Sequence, residues 1–203
     1  MKISGGFLKR LPLYLRYLKS LDSSVVNISA TAIANSLKLG EVQVRKDLGT
    51  VSGRGRPKTG YNRLLLIETL QDYLGYNKTK NAVIFGAGKL GNALMSYSGF
   101  DDYGLKIIAA FDVKNLGTTS SGKPVYPIQS FPAYCKQQKI EIGIITAPQS
   151  EAQKICDLIV ENGIKAVWNF APVQLNVPSD VIIHEENMAA SLALLSKQLE
   201  NKN

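Results

Sequence analysis

The sequence has 203 residues, 45% of them hydrophobic, and a formal charge of +8, which allows one large domain or two small ones with a packed core. The charge is uneven: residues 1–80 hold fourteen Lys and Arg against five Asp and Glu, and residues 81–203 hold ten against eleven, so either only the first part meets a polyanion or its charge is a solubilising face. Two cysteines without a C-x-x-C and a single histidine argue against a metal centre or a disulfide framework, and the lack of any apolar run of about 18 residues argues against a membrane span, which predicts a cytoplasmic protein.

From Leu8 to Leu21, Leu11, Leu15 and Leu18 recur at helical spacing between Lys9, Arg10, Arg16 and Lys19. Pro12 fits best in a first turn, so the helix is expected to start near it. Residues 23–27 read as loop. Ser29 is an N-cap candidate for a short helix over Thr31–Leu39, ended by Gly40. A second helix follows from Glu41 through Leu48, with Val42, Val44 and Leu48 expected to face inward and Gln43, Arg45 and Lys46 outward. Helix, tight turn and a second helix with a Gln/Arg/Lys edge is how a helix-turn-helix offers a recognition helix to the major groove. Many helical hairpins share that outline.

Residues 52–60, Ser-Gly-Arg-Gly-Arg-Pro-Lys-Thr-Gly, are too rich in glycine and charge for a core element. They resemble an AT-hook, in which Arg54 and Arg56 enter a narrow, strongly negative minor groove while Lys58 adds charge. Their position after a helix-turn-helix also suits the wing of a winged helix; a basic flexible linker is the plainer alternative, and both leave the segment mobile without DNA. Leu64–Leu74 reads as a helix closing a first domain, residues 1–80.

A β-prone run then enters Gly86-Ala87-Gly88-Lys89-Leu90-Gly91, followed by helix formers from Leu90 to Tyr97. Strand, G-x-G-x-x-G, helix is the dinucleotide-binding fingerprint: the glycines allow a tight turn and close approach of a pyrophosphate to a helix N-terminus. A second apolar run, Leu105–Phe111, ends in Asp112 with Val113 after it. An acidic residue about 20 positions on suits the ribose hydroxyls and repels a 2′-phosphate, favouring NAD(H) over NADP(H). A glycine-rich turn of an ordinary α/β protein is the competing reading. Residues 115–127 read as turns. Further strands are expected at Glu141–Thr146, Ala166–Phe170 and Val181–Ile183, with a crossover helix at Gln153–Asn162. The strand-end segments Thr146-Ala147-Pro148 and Asn169-Phe170 are therefore expected to border the same crevice as the fingerprint. The last helix, Asn187–Leu199, carries Met188, Leu192, Leu195 and Leu199 on one stripe, which packs on its own domain or on a partner subunit. His184, between strand and helix, reads as structural.

Arg10-Leu11-Pro12-Leu13-Tyr14, Val44-Arg45-Lys46-Asp47-Leu48, Gly60-Tyr61-Asn62, the fingerprint, Phe111-Asp112 and Asn169-Phe170-Ala171-Pro172 stand in the order of their counterparts in the Rex family of redox-sensing transcriptional repressors. The chain resembles that family over nearly its whole length. The resemblance implies an N-terminal winged helix on A·T-rich inverted-repeat DNA, a Rossmann domain over residues 81–184 binding NADH or NAD⁺, and a C-terminal helix over 185–203 exchanged in a homodimer, with NADH releasing the operator. Carried over, Gly86, Gly88 and Gly91 hold the pyrophosphate, with Ala87, Lys89 and Leu90 between them. Asp112 holds the adenosine ribose, while Thr146, Pro148 and Asn169 lie on the nicotinamide side, with Tyr97 near the pocket. The chain departs from the family pattern at Asn187, where an Asp often pairs with the counterpart of Arg16, at Met188, and in its Arg/Gly/Pro-rich wing. The alternative is an NAD-dependent oxidoreductase. That reading lacks a catalytic candidate, because the only Tyr-x-x-x-Lys, Tyr76 to Lys80, precedes the fingerprint.

Overall fold

The computed structural model describes residues 5–200; residues 1–4 and 201–203, the outer ends of the first and last expected domains, lie outside the described residues. The chain divides into two compact units after Lys78.

In the first unit α1 (Gly5–Ser20) begins well before Pro12, which lies inside it. A mid-helix proline costs about 3 kcal/mol. Phe7, Leu11, Tyr14, Leu15 and Leu18 are all buried on one face, at roughly 1.5–3 kcal/mol for each large apolar side chain, so packing outweighs the proline. Ser29 caps α2 (Ala30–Leu37), accepting a hydrogen bond from the Ala32 N–H at 3.0 Å. The cap at the other end is Lys38 in the left-handed region (φ 54°), and Gly40 instead becomes the N-cap of α3 (Glu41–Ser52). Val44 and Leu48 face the core with Ile33, Leu66 and Leu70. Val42 does not: it is 80% exposed.

The loop expected at 23–27 ends in a short strand, β1 (Asn27–Ile28), paired antiparallel with β2 (Tyr61–Asn62). Between α3 and β2 the chain forms a hairpin closed by reciprocal Arg56 and Gly60 backbone hydrogen bonds of 2.8 and 2.9 Å. The wing thus has a folded tip. A Cβ at Gly60 (φ +77°) would lie 2.3 Å from the Ile28 carbonyl oxygen, so only glycine lets wing and β1 approach this closely. Asn62 then caps α4 (Arg63–Leu74), which ends at Gly75 in the left-handed conformation.

The second unit is a seven-stranded sheet of β3 (Lys80–Phe85), β4 (Leu105–Asp112), β5 (Gly117–Thr118), β6 (Pro124–Pro127), β7 (Ile142–Ile145), β8 (Ala166–Asn169) and β9 (Ile182–Glu185), in the order β5-β6-β4-β3-β7-β8-β9. All pairs are parallel except β5 with β6. Without the β5 edge this is the doubly wound Rossmann order, whose crevice opens where the winding reverses, between β3 and β7. Residues 115–127 contain β5 and β6, which the turn-rich composition concealed: prolines at both ends of β6 are tolerated on a short strand near the sheet edge. His184 lies within β9, opposite Trp168.

One β-bulge organises the interior. Ala82 pairs with Ile107 but Val83 with Ala109, leaving Ile108 as an extra residue in β4. Ala109 and Phe111 thereby join Val83 and Phe85 on one face, while Ile107 and Ala110 join Ala82 and Ile84 on the other. Phe85, Phe111 and Phe131 meet with ring centroids 4.7–5.6 Å apart. Phe131 opens α6 (Phe131–Gln137), a helix absent from the sequence reading. The remaining helices are α5 (Lys89–Ser96), α7 (Gln149–Glu161) and α8 (Met188–Glu200). No residue of α8 is buried.

Candidate functional site

At the carboxyl edge of the sheet, register aligns Phe85 with Phe111 and Ile145, and Ile145 with Asn169. The segments that follow these four residues are therefore neighbours. The three fingerprint glycines do different work. Gly86 has φ +105°, and a Cβ there would lie 2.9 Å from the backbone of Thr146. A Cβ at Gly91 would lie 2.0 Å from the Gly86 carbonyl oxygen, so α5 can pack on β3 only with glycine. Gly88 is exposed and has nothing within 4 Å of where its Cβ would be. The fold itself does not require glycine there, and the open space above Gly88 suits a pyrophosphate.

The surroundings present donors to that space. Asn92 Nδ2 donates to the carbonyls of Ala87 (2.5 Å) and Gly88 (3.0 Å), turning acceptors inward. No side chain caps α5, so its N-terminus, with Lys89 exposed and Leu90 half-buried, offers uncapped N–H groups and the positive end of the helix dipole. The Asp112 carboxylate accepts from Ala87 N at 2.6 Å, Lys114 N at 2.8 Å and Asn115 N at 3.0 Å. Burial pushes its pKa up, but these backbone donors outweigh burial and hold it below the usual carboxylate range. It is an ionised acceptor fixed beside the fingerprint, as a ribose ligand must be.

Gly86, Asp112, Val113, Ala147 and Pro148 border one cleft of about 620 Å³, in the size range of a small-molecule site. Its floor includes Ile128, Pro132 and Ile155. Sequence reasoning missed this wall because Ile128 and Pro132 follow the unrecognised β6. Glu151 also lines the cleft, in the first turn of α7, which starts four residues before the expected Gln153.

Other expected ligands have internal partners. Thr146 Oγ1 donates to the Gly86 carbonyl at 2.7 Å, tying two loops together. Asn169 is fully buried, with Nδ2 donating to the carbonyls of Ala171 (3.1 Å) and Val173 (2.8 Å) and Oδ1 accepting from Ala171 N (2.9 Å). Its amide is committed to shaping the turn after β8. Phe170 packs on Trp168 at 4.5 Å, and Tyr97 is 60% exposed, edge-on to Phe100 at 5.1 Å. Asn187 Oδ1 accepts from Ala190 N at 2.8 Å and so caps α8.

The first unit carries a separate basic cleft of about 760 Å³ between α3 and the wing, lined by Arg45, Lys46, Arg54, Arg56 and Lys58. The structure brings together five of the six residues expected to touch nucleic acid. Gln43 points elsewhere: its Nε2 donates to Asp47 Oδ1 at 2.7 Å. Asp47, buried in α3, also accepts from Arg10 Nε (2.6 Å), Arg10 Nη2 (3.0 Å) and the Tyr14 hydroxyl (2.7 Å). Burial opposes its ionisation, and these donors together keep its pKa below the ordinary value. This cluster bolts α3 to α1. Arg45 is paired with Glu41 one turn earlier. Among the described residues no group of His, Cys, Asp and Glu is placed to hold a metal ion, and no helix is long and apolar enough to cross a membrane.

Two family models match the chain: one described as CoA binding domain over residues 77–173 and one described as putative DNA-binding protein N-terminus over residues 2–49. The sequence is 40% identical to a redox-sensing transcriptional repressor Rex of Treponema denticola, over 96% of this chain and 94% of that protein. It is 38% identical to the Rex of Bacteroides thetaiotaomicron, over 98% and 91%. Among solved structures, the Rex-family repressor RSP bound to β-NAD⁺ and operator DNA superposes with a TM-score of 0.93 at 34% identity, over 100% of this chain and 94% of that one. RSP bound to β-NADH gives 0.88, also at 34% identity, over 100% and 96%.

Proposed function

This chain belongs to the Rex family of redox-sensing transcriptional repressors, and from that membership we propose how its own residues bind operator DNA and read the NADH/NAD⁺ ratio. The chain is a repressor, like the relatives it matches, and not an enzyme. The observation that carries the sensing half is Gly88: a glycine that the fold itself does not require, at the uncapped start of α5 and beside the ionised Asp112.

In this reading the Gly86–Gly91 loop and the N–H groups of Lys89 and Leu90 hold the pyrophosphate. Asp112 accepts from the adenosine ribose and rejects a 2′-phosphate. Val113 and Ala147 wall the adenosine side together with Pro148, which the family resemblance puts on the nicotinamide side but which borders the same cleft as Asp112, and Tyr97 and Phe170 supply aromatic surface on the nicotinamide side. Thr146 and Asn169 act one step back, by fixing the loops that carry these groups. On the DNA side Arg45 and Lys46 enter the major groove of an A·T-rich inverted repeat. Arg54, Arg56 and Lys58 reach the adjoining minor groove and phosphates, and Gln43 steadies Asp47. An inverted repeat calls for a two-fold protein, and the exposed apolar side chains of α8, Met188, Leu192, Leu195 and Leu199, fit a helix buried in a homodimer. A cytoplasmic location fits a DNA partner.

NADH releases the operator because it favours a dimer arrangement that cannot reach both half-sites. Linkage requires DNA to weaken NADH binding by the same factor, typically about 5–150-fold. The test is an operator-binding titration with NADH, NAD⁺ and NADPH added separately. NADH alone should lower DNA affinity strongly; an operator affinity blind to NADH would refute the sensing mechanism, and substrate-dependent NADH oxidation would replace it with catalysis.

A further inference from the structure

The face of α3 that lines the basic cleft carries Val42, Arg45, Lys46 and Gly49, the i, i+3, i+4, i+7 stripe of a helix. The opposite stripe is spent inside the unit: Val44 and Leu48 are buried in its core, and Gln43 bonds to the buried Asp47. Val42 is therefore the one apolar side chain on the cationic face, and it is 80% exposed. A β-branched residue there contributes nothing to the core and slightly disfavours the helix. Its position is one residue inside the helix start, since Gly40 is the N-cap and Glu41 the first helical residue. N-terminal residues of a recognition helix are the ones that reach base edges.

We propose that Val42 is a base-reading residue that packs against the C5-methyl of a thymine in the major groove. The inference rests on the DNA-binding reading of the same cleft. Its occupant is set by charge: Arg45 and Lys46 flank the valine, and Arg54, Arg56 and Lys58 line the same cleft, so a polyanion is drawn over this apolar knob. Among the exposed groups of the major groove, the thymine methyl is the apolar one. Gly49, two turns beyond Val42, has nothing within 4 Å of a Cβ position, which leaves the helix surface low enough for α3 to seat with Val42 leading. Arginine and lysine on this face select guanine or phosphate; the valine adds selection for a T·A pair at one position in each half-site.

The experiment replaces thymines one at a time by deoxyuridine, which removes only the methyl, in an inverted-repeat duplex selected for binding to the wild-type protein. Wild-type affinity should fall at one position per half-site by about fourfold, the worth of one buried methyl-sized group. Val42→Ala should bind the unmodified duplex more weakly by a similar factor, and the same deoxyuridine should cost the variant nothing further. Val42→Thr, which keeps one methyl and the shape, should retain part of the discrimination. NADH affinity and the urea unfolding of the first unit should be unchanged in both variants, showing that both units are intact. If every deoxyuridine costs wild type and Val42→Ala equally, Val42 reads no methyl, although the protein still binds DNA. If selection yields no bound duplex at all, the DNA reading of the cleft fails and this inference with it.

Discussion

Single residues separate roles that the sequence pattern lumps together. Gly88 and Gly91 belong to one motif, yet a Cβ meets nothing at Gly88 and clashes at 2.0 Å at Gly91. Gly88→Ala should therefore leave thermal stability within about 1 kcal/mol of wild type while NADH affinity, followed by fluorescence or calorimetry, falls at least tenfold. Gly91→Ala should lower the melting temperature as well. Equal destabilisation by the two would show that Gly88 is structural. Asp47 offers the parallel case in the first unit. Breaking a buried ion pair costs about 3–5 kcal/mol, and because Arg10 is a quarter exposed the cost of Asp47→Ala should fall nearer 2 kcal/mol, read from urea unfolding of the first unit. The folded Asp47 carboxyl titrates below its unfolded value. Its contribution is complete above about pH 4 and is lost as pH falls through the folded value, so wild type and variant should converge in stability on acidification.

Whole elements show how local preference and packing divide the work. The wing is a folded hairpin tip with Arg54, Arg56 and Lys58 exposed on it, although its composition reads as loop; Gly60 supplies the close approach to Ile28 that pins it. Changing Arg54 and Arg56 together to alanine should weaken operator binding and reduce the slope of log affinity against log salt by about 1.8, as expected for two lost phosphate contacts. An unchanged salt slope would mean the wing arginines do not approach the backbone. The strands β3, β4, β7 and β8 were legible because apolar runs ending at the fingerprint, at Asp112, at Thr146 and at Asn169 are long and continuous, as buried parallel strands are. Strand β6 was not, since four residues with a proline at each end carry no such signal. The expected inward Val42 shows the limit of periodicity in a short amphipathic helix: the stripes through Val42 and Val44 are both plausible until α1 and α4 occupy one side.

At the scale of the molecule, α8 is thirteen residues with no buried side chain, and Leu192, Leu194, Leu195 and Leu199 are all more than half exposed. Such a helix is not stable alone in water, which is why we assign its apolar side chains to a second copy of the chain. Leu192→Arg with Leu195→Arg should convert a dimer to a monomer in light scattering and abolish tight binding to an inverted repeat, while single half-sites are still bound weakly. A dimer that survives both substitutions would place the interface elsewhere. Asn187 caps this helix through its side chain. It thereby keeps a helix-starting role that an Asp would also fill, without the negative charge for an ion pair with Arg16.

The sequence by itself determined the two-part organisation, the basic first unit, the fingerprint with its acidic partner and the family, because each depends on composition or on residues close together in the chain. Only the tertiary structure decided that Pro12 sits inside α1, that Gln43 and Asn169 are used internally, that Gly88 alone among the fingerprint glycines faces open space, and that Val42 points outward. For Pro12 and Val42 the outcome depends on what elements distant in sequence place against α1 and α3; Gln43 and Asn169 turn to partners within four residues, and Gly88 to open space, choices set by the folded backbone that neither propensity nor spacing contains.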